Sequence, residues 1–169
     1  MLVPMTREAS VSCISLEDPA IDQSKVERKD MLGKDGKTVL AEDVAVYLTE
    51  RLRKPESWRD TVPMKEGAKP TVFIIGVVPP AELNRIEDEC RRLGETGRAN
   101  ELMWRCFLHG VRNIEGLGLD IVYSDVHGVK YVDPQWLADV FCGPLRKVAL
   151  EIGTIIYNWN DLSQEAAGN

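Results

Sequence analysis

No stretch of this chain is apolar for the roughly 20 residues that a membrane-crossing helix needs. The most apolar run, Thr71 to Val78, is ended by Pro79 and Pro80. The opening residues, Met1-Leu2-Val3-Pro4-Met5-Thr6-Arg7-Glu8, lack the charged start and apolar stretch of a signal peptide, so synthesis and residence in a cytosol are expected. No long run of Lys and Arg occurs, and a net charge of −6 argues against a broad grip on nucleic acid. Cys13, Cys90, Cys106 and Cys142 contain no CxxC pair. Without a secretion signal they are expected to be reduced and packed as small hydrophobes. With only two histidines, His109 and His127, a nucleophile–His–acid triad has few ways to form.

What is present is an ordinary globular composition. Of 169 residues 44% are hydrophobic and 28% charged, enough to build a core without disulfides or a structural metal, in one domain with an appended segment. Composition changes near residue 70. Residues 1–68 are rich in charge and in breakers such as Asp18-Pro19, Gly33-Lys34-Asp35-Gly36 and Lys54-Pro55, and read as an N-terminal extension. Within it, Ser10 to Ile14 suits a short strand and Asp35-Gly36 a hairpin turn. Ala41 to Leu52 predicts a helix with Val44, Tyr47, Leu48 and Leu52 on one face, and Pro63 to Pro70 a linker.

Residues 69–162 are patterned more firmly. Thr71 to Val78 is β-branched and apolar on both faces, as in a strand covered on both sides. Pro80 opens a helix with Leu83, Ile86, Cys90 and Leu93 on one stripe, closed by Gly94. A helix from about Arg98 to Arg112 follows, with Leu102, Cys106, His109 and Gly110 near one face and Trp104, Phe107 and Leu108 widening it. Asp120 to Tyr123 and Val129 to Val132 flank Asp125-Val126-His127-Gly128 and predict a hairpin with a longer turn. Asp133-Pro134 starts a short helix, Asp as cap and Pro at the first position. From Pro144 to Trp159, the residues Leu145, Val148, Ala149, Ile152, Ile155, Ile156 and Trp159 trace one apolar stripe. Residues 163–169 form a polar tail that should fray unless held. The expected fold is α+β: amphipathic helices packed on a small, mainly antiparallel sheet, with an extended N-terminal arm.

Residues with catalytic chemistry do not assemble into a recognisable pattern. Gly33 to Thr38 ends like a phosphate-binding loop, but the first glycine of GxxxxGK[ST] is replaced by Met31 and no buried strand precedes it. Cys106 and His109 could share a helix face, yet zinc needs three or four ligands and no other residue stands at ligand spacing. Ser124-Asp125-Val126-His127 lies on a turn, where neighbouring side chains diverge. Glu87-Asp88 suits a solvated helix face. No catalytic residue, cofactor or metal site is expected, which leaves binding to other proteins.

Four tryptophans are many for a chain of this size, and tryptophan is enriched in interface hot spots. Trp104 and Trp159 lie on or beside apolar stripes, which suits a core role, whereas no stripe claims Trp58 beside Glu56, Arg59 and Asp60. Trp58 is thus the first partner anchor expected, with Tyr47, Trp136 and Trp159 as further contact residues.

Residues 69 to 169 resemble small proteins of tailed-bacteriophage head and tail gene clusters, among them minor virion structural proteins and tail assembly chaperones. The likeness is carried by Lys69-Pro70-Thr71-Val72-Phe73-Ile74-Ile75 leading to Pro79-Pro80-Ala81-Glu82, by Phe107 to Leu117, and by the ending Trp159 to Asn169 with its Leu-Ser-x-Glu pattern. The resemblance implies a non-enzymatic virion component, a minor head, neck or tail protein assembled in host cytoplasm. Its partners would be other phage structural proteins and copies of itself, without membrane or nucleic acid. A tail assembly chaperone absent from the mature particle is one alternative; a phage-encoded inhibitor of a host protein is another.

Overall fold

The computed structural model describes residues 10–25 and 64–167, with side chains described as far as Asn160. The apolar run at Thr71 becomes β2 (Val72–Gly76), the middle strand of an antiparallel sheet between β1 (Ser10–Cys13) and β3 (Val111–Glu115). Phe73 and Ile75 are buried on one face of β2, while Val72 and Ile74 on the other are only half-buried. Helices thus cover one face fully, rather than both as the sequence predicts. A separate hairpin joins β4 (Tyr123–Val126) to β5 (Val129–Val132), and both sheets are antiparallel. With α1 (Pro80–Cys90), α2 (Glu95–Gly110), α3 (Pro134–Val140) and α4 (Arg146–Ala167), the fold is α+β.

The helices follow from their sequences. Pro80 stands at the start of α1, and Leu83, Ile86 and Cys90 are its buried stripe. The helix ends at Cys90, so Leu93 falls off the stripe and is 45% exposed. Asp133 caps α3 as expected, its carboxylate accepting the Trp136 N–H at 3.0 Å. Along α4, Val148, Ala149, Ile152, Ile155 and Ile156 are buried as one stripe. The helix continues through Ala167, past the point at which a polar tail is expected.

α2 and α4 pack closely because small residues let them. A methyl group on Gly153 would lie 1.9 Å from the Met103 carbonyl oxygen, and one on Gly110 would lie 2.5 Å from the Ile156 side chain. Against this pair the three phenylalanines of the chain converge: Phe107 of α2 stands 6.1 Å from Phe73 and 5.1 Å from Phe141, and Phe73 stands 5.7 Å from Phe141, between ring centres. Such edge-on and tilted pairs suit the aromatic quadrupole.

Two elements differ from expectation for identifiable reasons. The helix expected to run to about Arg112 ends at Gly110, where the chain turns into β3. A bulge opposite Ile74 and Ile75 inserts one residue into β3, so Val111 and Ile114 both reach the core although a regular strand would part them. The hairpin turn is tight rather than long. His127 and Gly128 take left-handed φ of 55° and 79°, as two-residue hairpin turns require, and the Gly128 N–H donates to Asp125 Oδ1 at 2.8 Å.

Residues 10–25, expected within an extended arm, are instead built into the core. Cys13, Ile14, Leu16 and Ile21 are buried, and Ile21 bridges to Met64. Two carboxylates hold this segment. Asp18 is buried and accepts the N–H groups of Ala20 at 2.7 Å and Thr71 at 2.8 Å. Glu151 of α4 accepts the Ser15 hydroxyl at 2.5 Å and the Glu17 N–H at 3.2 Å. The attachment is hard to read in the sequence because the partners of this segment, Thr71 and Glu151, lie far along the chain. The hairpin turn at Asp35-Gly36 and the helix at Ala41 to Leu52 lie outside the described residues.

Two measurements test this account. Gly153→Ala should lower stability by about 2 kcal/mol or more, as overpacking against a backbone atom does. By contrast Gly97→Ala, where nothing lies within 4 Å, should raise it by about 0.5–1 kcal/mol in chemical denaturation. The second concerns Glu151, whose pKa burial raises above the ordinary carboxylate value of 4.5, against the opposing effect of its hydrogen bonds. The folded state therefore holds this proton more tightly than the unfolded state. Stability contributed by Glu151 is greatest below pH 4.5 and is lost as pH rises through the raised value. Glu151→Gln should remove that decline from a plot of unfolding free energy against pH.

Candidate functional site

Residues of α1, α2, the β4–β5 hairpin and the start of α3 line a cleft of about 490 Å³. Its walls include Glu82 and Arg85 of α1, His109 at the end of α2, Ser124 and Val126 of β4, and His127 of the turn. Tyr131 of β5 also reaches it and is fixed by donating its hydroxyl to the Val77 carbonyl at 2.7 Å. Both histidines of the chain therefore meet in one place.

The polar side of the cleft is the end of a charge ladder across α1 and α2. Arg85 bonds to Glu82 and to Glu89, the latter at 2.6 Å, and Arg105 bonds to Glu89 and to Glu101, the latter at 2.8 Å. The Arg85 guanidinium holds the Glu82 carboxyl below its ordinary value. His109 Nε2 lies 3.5 Å from Glu82 Oε1. Burial lowers the His109 pKa from its ordinary 6.5, and the Glu82 carboxylate only partly opposes this. Near neutral pH the ring is thus an uncharged hydrogen-bonding group in a mostly apolar wall.

Of the polar run Ser124 to His127, Ser124 and His127 line the cleft together with His109 and Glu82. Ser124 and Asp125 alternate to opposite faces of β4, and Asp125 Oδ1 is engaged by the turn. Cys106 is fully buried, where desolvation pushes its thiol up to about 12, while His109 lines the cleft. Among the described residues, no group of three or more His, Cys, Asp or Glu side chains is placed to hold a metal ion. All four cysteines are free, and Cys142 is the exposed one.

Of the expected contact residues, Trp136 and Trp159 are half-buried against the core, and Trp58 and Tyr47 lie outside the described residues. The structure exposes apolar surface elsewhere. Leu119 is 54%, Val122 52% and Val126 36% exposed, all in the loop and strand beside the cleft. The loop reaches out because Gly116 and Gly118 adopt left-handed φ of 82° and 72°. Gly-Leu-Gly-Leu was the available signal, since flanking glycines free a leucine from regular packing, but aliphatic residues read from sequence default to the core.

A measurement follows from the His109 environment. In a proton NMR titration its ring should show a midpoint below 6.5, and Glu82→Gln should move that midpoint lower still, because the carboxylate that favours the charged ring is gone. Comparison with protein-family models, with curated proteins and with solved structures finds no match to this chain.

Proposed function

We propose that this chain is a non-enzymatic structural or assembly protein of a tailed-phage particle, a minor head, neck or tail component that works through protein–protein contacts. The observation that carries the reading is the grouping of Leu119, Val122 and Val126, exposed together on the loop and hairpin beside the cleft. Clustered apolar surface rimmed by polar groups marks an interaction site more often than scattered exposed residues do. Val126 and the polar His127 beside it both line the cleft, which could receive a side chain from a partner. The resemblance of residues 69–169 to phage morphogenesis proteins supplies the class of partner: other structural proteins of the particle and copies of this chain.

The chaperone alternative is less favoured by the packing. It calls for apolar helix faces open to a client protein, and the α4 stripe from Val148 to Ile156 is occupied by the core.

Mass spectrometry of particles purified from the source of this chain tests the proposal. The chain should be recovered in fixed stoichiometry with capsid, portal or tail proteins. Val122→Asp, a change at an exposed position, should leave the fold intact and reduce that recovery several-fold. Absence from mature particles, with the chain bound instead to unassembled tail protein, would select the chaperone; association with neither would sink the phage reading.

A further inference from the structure

The strand β4 is the outer edge of its hairpin. Its partner β5 turns its other side towards β3, where Arg112 Nε donates to the Lys130 carbonyl at 2.7 Å. The phase of the ladder is set by the Asp133 N–H, which donates to the Val122 carbonyl at 2.8 Å. Counting in twos from there, Val122–Asp133, Ser124–Tyr131 and Val126–Val129 are the hydrogen-bonded pairs. Tyr123 and Asp125, between them, aim their N–H and C=O groups away from β5. Such an edge is a template for one more strand.

We propose that β4 pairs antiparallel with the β4 of a second copy of this chain, about a twofold axis through Ser124, so that two hairpins become one four-stranded sheet. The register is chosen by elementary constraints. An axis through Asp125 would set it against the partner's Asp125, a like-charge pair, and would match Tyr123 to the left-handed turn residue His127. An axis through Tyr123 would pair Asp125 with Ile121, outside the strand. The axis through Ser124 pairs Tyr123 with the partner's Asp125 twice over, and the outward groups of both residues exchange hydrogen bonds. Val122 then faces the partner's Val126, which removes the exposed apolar surface of both from water.

Charge supports the same register. The Lys130 ammonium lies 3.6 Å from the centre of the Tyr123 ring. With the partner's Asp125 opposite Tyr123 on that face, a carboxylate is brought beside each ammonium. A surface that complements itself in this way, valine to valine and aspartate to lysine, suits a twofold contact between identical chains. So short a contact falls well below the standard interface of about 1,600 Å², so pairing depends on concentration. The inference rests on reading the hairpin as a protein-contact surface, and is independent of the phage assignment.

Cross-linking of the full chain tests it. Ser124 would face the partner's Ser124 as a non-hydrogen-bonded pair with Cα atoms about 4.5 Å apart, within disulfide reach. In a Cys142→Ser background, which removes the exposed thiol, Ser124→Cys should give a covalent dimer on mild oxidation. Val122→Cys, four residues out of register with itself, should give no more dimer than the background. Added to Ser124→Cys, either Val122→Asp or Val126→Lys alone should lower the dimer yield several-fold. The two together should restore it, because each new charge then faces its opposite across the axis. Equal cross-linking at positions 122 and 124, no cross-linking at 124, or no rescue by the double change would overturn the pairing. Should the dimer form while the chain is missing from particles, the phage assignment fails and the pairing stands. Should Val122→Asp leave the particle while Ser124→Cys never cross-links, the pairing fails and the assignment stands.

Discussion

The close approach of α2 and α4 at Gly153 and Met103 is the constraint on which the rest of the structure depends. Side chains longer than hydrogen at Gly153 would push α2 and α4 apart. That separation would open the space that Phe107 fills against Phe73 and Phe141. Because β3 follows α2 without a break, the position of α2 also sets where β3 begins and how it pairs with β2. The hairpin leans on β3 in turn, so a backbone contact between helices decides where the exposed edge of β4 is presented.

A second layer of organisation is polar and bridges distant parts of the chain. Asp18 and Glu151 join residues 15–21 to β2 and α4 by accepting backbone N–H groups, and Lys147 lies 3.1 Å from Glu17 on the same path. The Arg85 and Arg105 ladder likewise joins α1 to α2. These groups orient elements whose apolar contacts alone would permit some sliding. The surface pairs contribute little stability individually, since exposed ion pairs are typically worth about 0–1 kcal/mol. Their geometry nevertheless sets the polar wall of the cleft.

The parts of the fold legible in the sequence are those whose signal is local. The α4 stripe, the Asp133-Pro134 start of α3 and the apolar run of β2 each carry their structure within a dozen residues. By contrast β3 has no such local signal, since Val111 and Ile114 stand three apart and only a bulge, created by pairing with β2, turns both inward. The strand expected at Ser10 to Ile14 forms over Ser10–Cys13, but its place in the sheet is not legible locally, because its partner β2 lies roughly sixty residues on. The cleft was harder still. His109 and His127 are each unremarkable along the chain, and they meet only after α2 and the hairpin are packed. Tryptophan drew attention as the interface residue, whereas the exposed apolar surface is aliphatic and sits on a loop freed by glycines.

The bond from Ser15 to Glu151 spans 136 residues of sequence. A ribosome adds roughly 5–20 residues per second, so Ser15 exists for several seconds before its carboxylate does. During that interval β1 can find β2 and Asp18 can accept the Ala20 and Thr71 N–H groups, but the Ser15 hydroxyl and the Leu16 N–H lack the Glu151 carboxylate that accepts them. The edge of the main sheet is therefore completed late, from the two ends of the fold at once. While the polypeptide is still being made, the core cluster that buries Ile14 and Leu16 lacks every side chain that α4 contributes to it.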